Sequence, residues 1–251
     1  MVFSLKLVVA LHSTDVDVQD SMEFISPFDS DREPVIFKDE YEAIAKDKEW
    51  QAAEIKRCSI EPWYWLINYI WSIQKDENVE GAKISRFPCD EYLRITFGLM
   101  FQENFLAVDK SRQMRLTWLM MAYALWNAQF KDNQEIVCQT KKEDVADTEL
   151  VKRAFFMASN EPKWMRPKFS KTDSSYCRLK FPGTKSFIKG IPKGGDQIRS
   201  FNPTITIIDE AGFLEGEFEE CKSAALACCK DIKLVSTANA GEWGDFINAA
   251  H

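Results

Sequence analysis

From about residue 100 the chain alternates short apolar runs of β character with longer helical stretches, and this pattern constrains the fold more than any other feature. The β runs are 105–109, 135–139, 186–191, 204–209 and 233–237. Short, largely apolar runs set between helical stretches suit the strands of a sheet covered on both faces. Helices between them then serve as crossovers and cover the sheet. Residues 114–129 and 217–229 read as helices. In 144–159, Ala146, Leu150, Ala154 and Met157 recur at helical spacing and mark a buried face. The predicted class is α/β, a mainly parallel sheet flanked by helices.

The N-terminal part differs in character. Between residues 13 and 50 there are 12 acidic against 4 basic residues, leaving 27 against 28 elsewhere, so the net charge of -7 belongs to this stretch. Residues 1–55 are expected to form an arm or subdomain, helical and acidic after a short β-like start, with residues 56–251 forming the main domain. Pro62 opens a segment, 62–73, that is apolar nearly all round, as a buried helix would be. An apolar share of 45% with only 10 Gly and 9 Pro excludes disordered and collagen-like classes. The longest apolar segment is well short of the ~20 residues that span a bilayer, and the first residues lack a small-x-small cleavage site, so neither a membrane segment nor a signal peptide is expected. Seven cysteines, an odd number with no CxxC pair, suggest thiols in a reducing compartment.

Chemistry concentrates at two places. Thr204-Ile-Thr-Ile-Ile-Asp209-Glu210-Ala211 is a buried strand that ends in adjacent carboxylates. Alternation along a strand aims the two side chains differently, so one can hold a metal ion while the other orients or deprotonates a water. A partner motif belongs on an earlier strand, turn and helix, where backbone amides cradle phosphate. Phe105-Leu-Ala-Val-Asp-Lys110-Ser111-Arg112-Gln113-Met114-Arg115-Leu116-Thr117 stands there. Laid on G-x-x-x-x-G-K-[ST], it puts Lys110 and Arg115 on the glycines, Leu116 on the lysine and Thr117 on the metal-binding hydroxyl. The pattern fails as a regular expression. An arginine on a glycine position must either accept φ > 0 or send the loop along another path.

Ser-Arg-Gln ahead of the helix and Asp-Glu-Ala after the strand resemble the large terminase subunit, the DNA-packaging ATPase of tailed phages and herpesviruses. The likeness continues in Ile136-Val-Cys-Gln-Thr-Lys-Lys, Arg153, Pro162-Lys-Trp-Met-Arg-Pro167, Gly194-Gly-Asp-Gln-Ile-Arg199 and Val235-Ser236-Thr237-Ala238-Asn239. These motifs run in the family's order across residues 60–245. The resemblance implies a P-loop NTPase of the RecA/ASCE-like type that uses ATP and Mg²⁺. Thr117 and Asp209 would serve the metal, Glu210 would be the catalytic carboxylate, and Arg112 the phosphate-loop arginine. Lys110, Ser111, Gln113, Met114, Arg115 and Leu116 would line the nucleotide, while Ser236, Thr237 and Asn239 would couple hydrolysis to motion. Some large terminases carry the loop lysine at its start, where Lys110 stands, with Arg112 and Arg115 as rivals. Arg199 matches a position proposed to reach a neighbouring subunit's ATP, its alternative being a structural ion pair. Phe87 and Tyr92 lie where the family clamps adenine, in a stretch without the usual Gln.

The same likeness implies a motor that moves double-stranded DNA, working as a homo-oligomeric ring, a pentamer, on a procapsid and monomeric in isolation. Its partners would be a portal protein and a small terminase subunit, in host cytoplasm. The family's C-terminal nuclease is expected to be absent, since 14 residues follow Thr237. Residues 161–199 carry 10 basic against 3 acidic residues among aromatics, a candidate DNA surface with Lys168, Lys171 and Lys180. A solvated face over core aromatics is the alternative. A different class also fits the missing glycines: a P-loop-derived DNA-binding or assembly module with impaired hydrolysis. A helicase-like ATPase is disfavoured, because a second RecA-like lobe has no room.

Overall fold

A computed structural model of the chain describes residues 8–11, 47–75, 82–214 and 216–249. Most of the acidic stretch lies outside the described residues. The strands are β1 (Val8–Leu11), β2 (Trp71–Lys75), β3 (Ala82–Arg86), β4 (Phe105–Lys110), β5 (Glu135–Gln139), β6 (Ser174–Ser175), β7 (Arg178–Phe181), β8 (Ser186–Ile191), β9 (Ile205–Asp209) and β10 (Asp231–Thr237). The main sheet runs β1-β4-β10-β9-β5-β8-β7-β6. Its pairs are parallel from β1 to β8, and the last two strands join antiparallel at one edge. One strand, β10, separates β4, which leads into the candidate phosphate loop, from the acidic strand β9. This mainly parallel sheet flanked by helices is the RecA/ASCE-like P-loop fold class that the sequence resemblance implies. The β-like start of the arm, β1, pairs in register with β4, Val8 opposite Ala107 and Leu11 opposite Lys110.

The helices are α1 (Lys48–Cys58), α2 (Pro62–Tyr69), α3 (Glu91–Gln102), α4 (Leu116–Phe130), α5 (Lys152–Asn160), α6 (Gly195–Arg199), α7 (Phe218–Cys228) and α8 (Glu242–Ala249). Strand alternation divides the core into two layers. Leu106, Val108, Ile136, Cys138, Ile207 and Val235 face α2, α3, α4 and α5. Ala107, Val137, Ile208 and Leu234 face α7 and α8. The central strands are therefore buried on both faces, which is why their sequences read as largely apolar runs.

Two elements differ from the sequence expectation. The helix from Pro62 ends at Tyr69, and Trp71–Ile73 enter the antiparallel hairpin β2/β3. Apolarity on every side marks burial for a strand as well as for a helix, so the pattern could not locate the change. The helix expected over 144–159 begins as a turn at Glu143–Val145, passes through π-helical Ala146–Val151 and continues as α5. The expected buried face holds: Ala146, Leu150, Ala154 and Met157 are all fully buried. Val151 joins them, because the wider π turn brings one more residue inward.

A buried carboxyl ties the N-terminal helices to this layer. Glu161, just after α5, accepts hydrogen bonds from Trp65 Nε1 at 3.0 Å and Gln129 Nε2 at 2.7 Å, linking α2, α4 and α5. Trp126 Nε1 donates to the Cys58 carbonyl at 2.9 Å, fixing the end of α1.

Candidate active site

In an open parallel sheet, ligands bind beyond the carboxyl ends of the strands. Here those ends belong to β4, β9, β10 and β5, and they open into two adjoining cavities of about 990 and 380 Å³. Lys110, Gln113, Thr117, Glu149, Arg153 and Glu210 border both.

The chain leaves β4 at Lys110 and turns through Ser111–Arg115 into α4, which places the helix N-terminus at the cavities. Gln113 and Arg115 have φ of 66° and 55°. The loop thus takes the left-handed turns that glycines would supply, and ordinary side chains bear the strain. Glu210, directly after β9, is also left-handed at φ 53°. Three of the six non-glycine residues with positive φ among the described residues cluster here. Such strain persists where the surrounding structure enforces it, and it collects at functional sites.

Thr117, in the first turn of α4, donates its hydroxyl to Asp209, with Oγ1 at 3.2 Å from both carboxylate oxygens. Asp209 ends β9 and is 5% exposed. Burial, reinforced by the charge of Glu210, pushes its carboxyl up to about 6, while Lys110, Arg153 and the Thr117 bond act in the opposite sense. A buried carboxylate and a hydroxyl converging on one point form a hard oxygen donor set, and a divalent cation there would relieve the cost of burying the charge. Mg²⁺, which binds through one or two protein oxygens plus substrate phosphates, fits these residues.

Lys110 is 6% exposed, and its Nζ lies 3.3 Å from Glu210 Oε1 and 3.3 Å from Thr237 Oγ1. Leu116, at the position where a loop lysine usually stands, is 1% exposed and packs into the core. The cation that spans the ends of β4, β9 and β10 is therefore Lys110. Arg112 is exposed on the smaller cavity. Arg115 borders the larger one, with Nη1 buried and without a hydrogen-bond partner.

The residues after β10 hold the carboxylate loop from behind. Ser236 Oγ accepts from the Gly212 amide at 2.9 Å, and Asn239 Nδ2 donates to the Gly212 carbonyl. A Cβ on Gly212 would lie 2.9 Å from Ser236 Oγ, so only glycine permits this approach. Ser236 is fully buried, while Thr237 borders the smaller cavity. Trp243 Nε1 donates to Asp109 Oδ1 at 2.9 Å and pins α8 beneath the loop strand.

Other expected residues stand elsewhere. Phe87 is 1% exposed in the core, so it cannot offer a ring face to a base without opening that core, and the adenine expectation is corrected on this point. The Tyr92 hydroxyl donates to the Met114 carbonyl at 3.5 Å, and its ring borders neither cavity. The aromatic rings on the larger cavity are Trp118 and Phe156, 5.9 Å apart. Arg199 lies outside both cavities, paired with Asp196 at 2.8 Å and Glu220 at 3.7 Å. Lys168, Lys171 and Lys180 are exposed, away from the cavities. Among the aromatics of that basic region, Trp164, Phe169 and Phe181 pack into the core, Phe187 lies under Arg178, and Tyr176 is exposed.

Sequence reasoning assigns no role to Glu149, Trp118 or Phe156, and none at the site to Arg153. The four-residue spacing of Glu149 and Arg153 signals only a helical ion pair. Only the tertiary structure places that pair at the cavities.

No protein-family model matches the sequence, and no curated protein matches it either. Solved structures do. The chain is similar to the HK97 bacteriophage large terminase at 16% identity and TM-score 0.48, over 62% of this chain and 34% of that one. It is similar to the large terminase of a thermophilic bacteriophage at 15% identity and TM-score 0.49, over 65% and 42% of the two chains. The same thermophilic phage protein in complex with ADP matches at 18% identity and TM-score 0.43, over 56% and 34%. The chain thus spans less than half the length of these three structures.

Proposed function

We propose that this chain is the ATPase domain of a DNA-packaging motor of the large-terminase kind, which hydrolyses ATP with Mg²⁺ to drive double-stranded DNA into a procapsid. The observation that carries the ATPase reading is the Thr117 hydroxyl 3.2 Å from both oxygens of Asp209, with Glu210 next in sequence on the cavity. The packaging reading rests on the terminase-like motifs, which follow one another in order from residue 60 to residue 245.

Mg²⁺ held through Thr117 and Asp209 would offset charge developing on the β- and γ-phosphates. Amides of the Ser111–Arg115 turn and the α4 N-terminus bind the phosphates, and Lys110 reaches them from the end of β4. Glu210 holds the attacking water and takes its proton. Before substrate binds, Lys110 Nζ holds that carboxylate in place across 3.3 Å. Ser236 and Asn239, bonded to Gly212 two residues beyond Glu210, transmit a shift of the carboxylate loop to β10. The ring on a portal, its pentameric state, the small terminase subunit, the arm and domain division at residue 55, and work in host cytoplasm belong to the same proposal.

The test is Mg²⁺-dependent ATP turnover, with and without duplex DNA, in the native chain and in Glu210→Gln. The amide keeps the shape but cannot accept a proton, so turnover should fall ~10²- to 10⁴-fold with nucleotide binding retained. Equal turnover in the two proteins removes Glu210 from the mechanism. DNA binding without turnover in the native chain would favour a DNA-binding or assembly module.

A further inference from the structure

Arg153 opens α5 directly after the π-helical turn, and its side chain borders both cavities together with Lys110, Thr117 and Glu210. Its guanidinium lies 5.0 Å from the centre of the Trp118 ring, and Trp118 follows the metal-binding Thr117 in sequence. On its other side it pairs with Glu149, which also borders both cavities. Its neighbour Lys152 borders the larger cavity alone and pairs with Asp147, at 2.7 Å. Stacking on the indole fixes the plane of the guanidinium and leaves its N–H edge for an anion. The carboxylate on that edge is a weak competitor, because the Glu149 side chain is 49% exposed and such pairs are held loosely. A terminal phosphate in the cavity carries more charge and accepts two parallel N–H bonds.

We infer that Arg153 recognises the γ-phosphate of a nucleoside triphosphate bound by its own chain, being parked on Trp118 and Glu149 without nucleotide and exchanging Glu149 for the phosphate when a triphosphate binds. This rests on the ATP-binding reading above. It adds a cation supplied in cis, separate from the phosphate loop and from any arginine donated by a neighbour.

Equilibrium titration with ADP and with ATPγS tests it on the native chain, Arg153→Ala, Arg153→Lys and Glu149→Gln. Arg153→Ala should lose ATPγS affinity roughly 10- to 100-fold with ADP affinity unchanged within about twofold, since a charged hydrogen bond is removed only when the terminal phosphate is present. Arg153→Lys, which keeps the charge without the fork, should fall between. Glu149→Gln should bind ATPγS a few-fold more tightly, its competing charge removed. If the native chain binds both nucleotides and Arg153→Ala or Arg153→Lys keeps the native ratio of ATPγS to ADP affinity, the inference is overturned and the ATP reading stands. Equal loss of both nucleotides with a lower melting temperature would likewise overturn it, by making Arg153 structural. A native chain that binds neither nucleotide would sink the ATP reading, and this inference with it.

Discussion

Replacing Glu161 by Gln should reshape the pH dependence of stability. The Glu161 side chain is 3% exposed and meets two donors, Trp65 Nε1 and Gln129 Nε2. Burial pushes its carboxyl from 4.5 up to about 8, against the opposing effect of the two hydrogen bonds. The folded chain therefore holds a proton that the unfolded chain has released between those two values. The resulting stability is fully present below pH 4.5 and is lost as pH rises through 8. At about 1.4 kcal/mol per pH unit, the loss between pH 5 and pH 8 is about 4 kcal/mol. In Glu161→Gln the group no longer titrates. The buried Gln129 Oε1, which has no hydrogen-bond partner, can accept from the new amide once the Gln129 side chain flips. Urea unfolding of the whole chain at pH 5, 6.5 and 8 measures the difference between the two proteins. The free-energy gap should shift in favour of Glu161→Gln by about that amount across the range. Parallel pH profiles for the two proteins would refute the reasoning, because they would mean that Glu161 releases its proton at the same pH folded and unfolded.

The displaced lysine is tested by nucleotide titration and turnover. Lys110→Ala should lose hydrolysis and most nucleotide affinity, Arg112→Ala hydrolysis with milder binding loss, and Arg115→Ala least of the three; normal binding and turnover in Lys110→Ala would make Arg115 the leading candidate. If Arg199 serves a neighbouring subunit, specific activity should rise with protein concentration, and Arg199→Ala should lower it by ~10³ or more. A flat dilution series with full activity of Arg199→Ala would leave the arginine as the surface ion pair it makes with Asp196. Duplex DNA should bind without sequence preference and weaken steeply as salt rises, and Lys168→Glu with Lys171→Glu should reduce the affinity. Unchanged binding in that double variant would move the DNA surface elsewhere.

The strands and their order of chemistry were legible because local residues fix them. A parallel strand covered on both faces is largely apolar, so β4, β5, β8, β9 and β10 stand out as short apolar-rich runs, with Lys110 at the end of β4 and Asp209 and Glu210 at the end of β9. The spacing from Lys110 to Thr117 holds the loop and the first turn of α4 whether or not glycines are present. What the sequence left open was how ordinary residues replace those glycines. Only the folded chain supplies the answer, because the φ of 66° at Gln113 and 55° at Arg115 is enforced by the strand and helix on either side, and local preference opposes it. Choosing between Lys110, Arg112 and Arg115 likewise needed tertiary distances, since three cations within six residues differ only in where their side chains end. Phe87 looked like a candidate ring for a base until burial in the core removed it. Arg153 looked like one half of a helical ion pair until the fold placed it beside Lys110, Thr117 and Glu210 at both cavities.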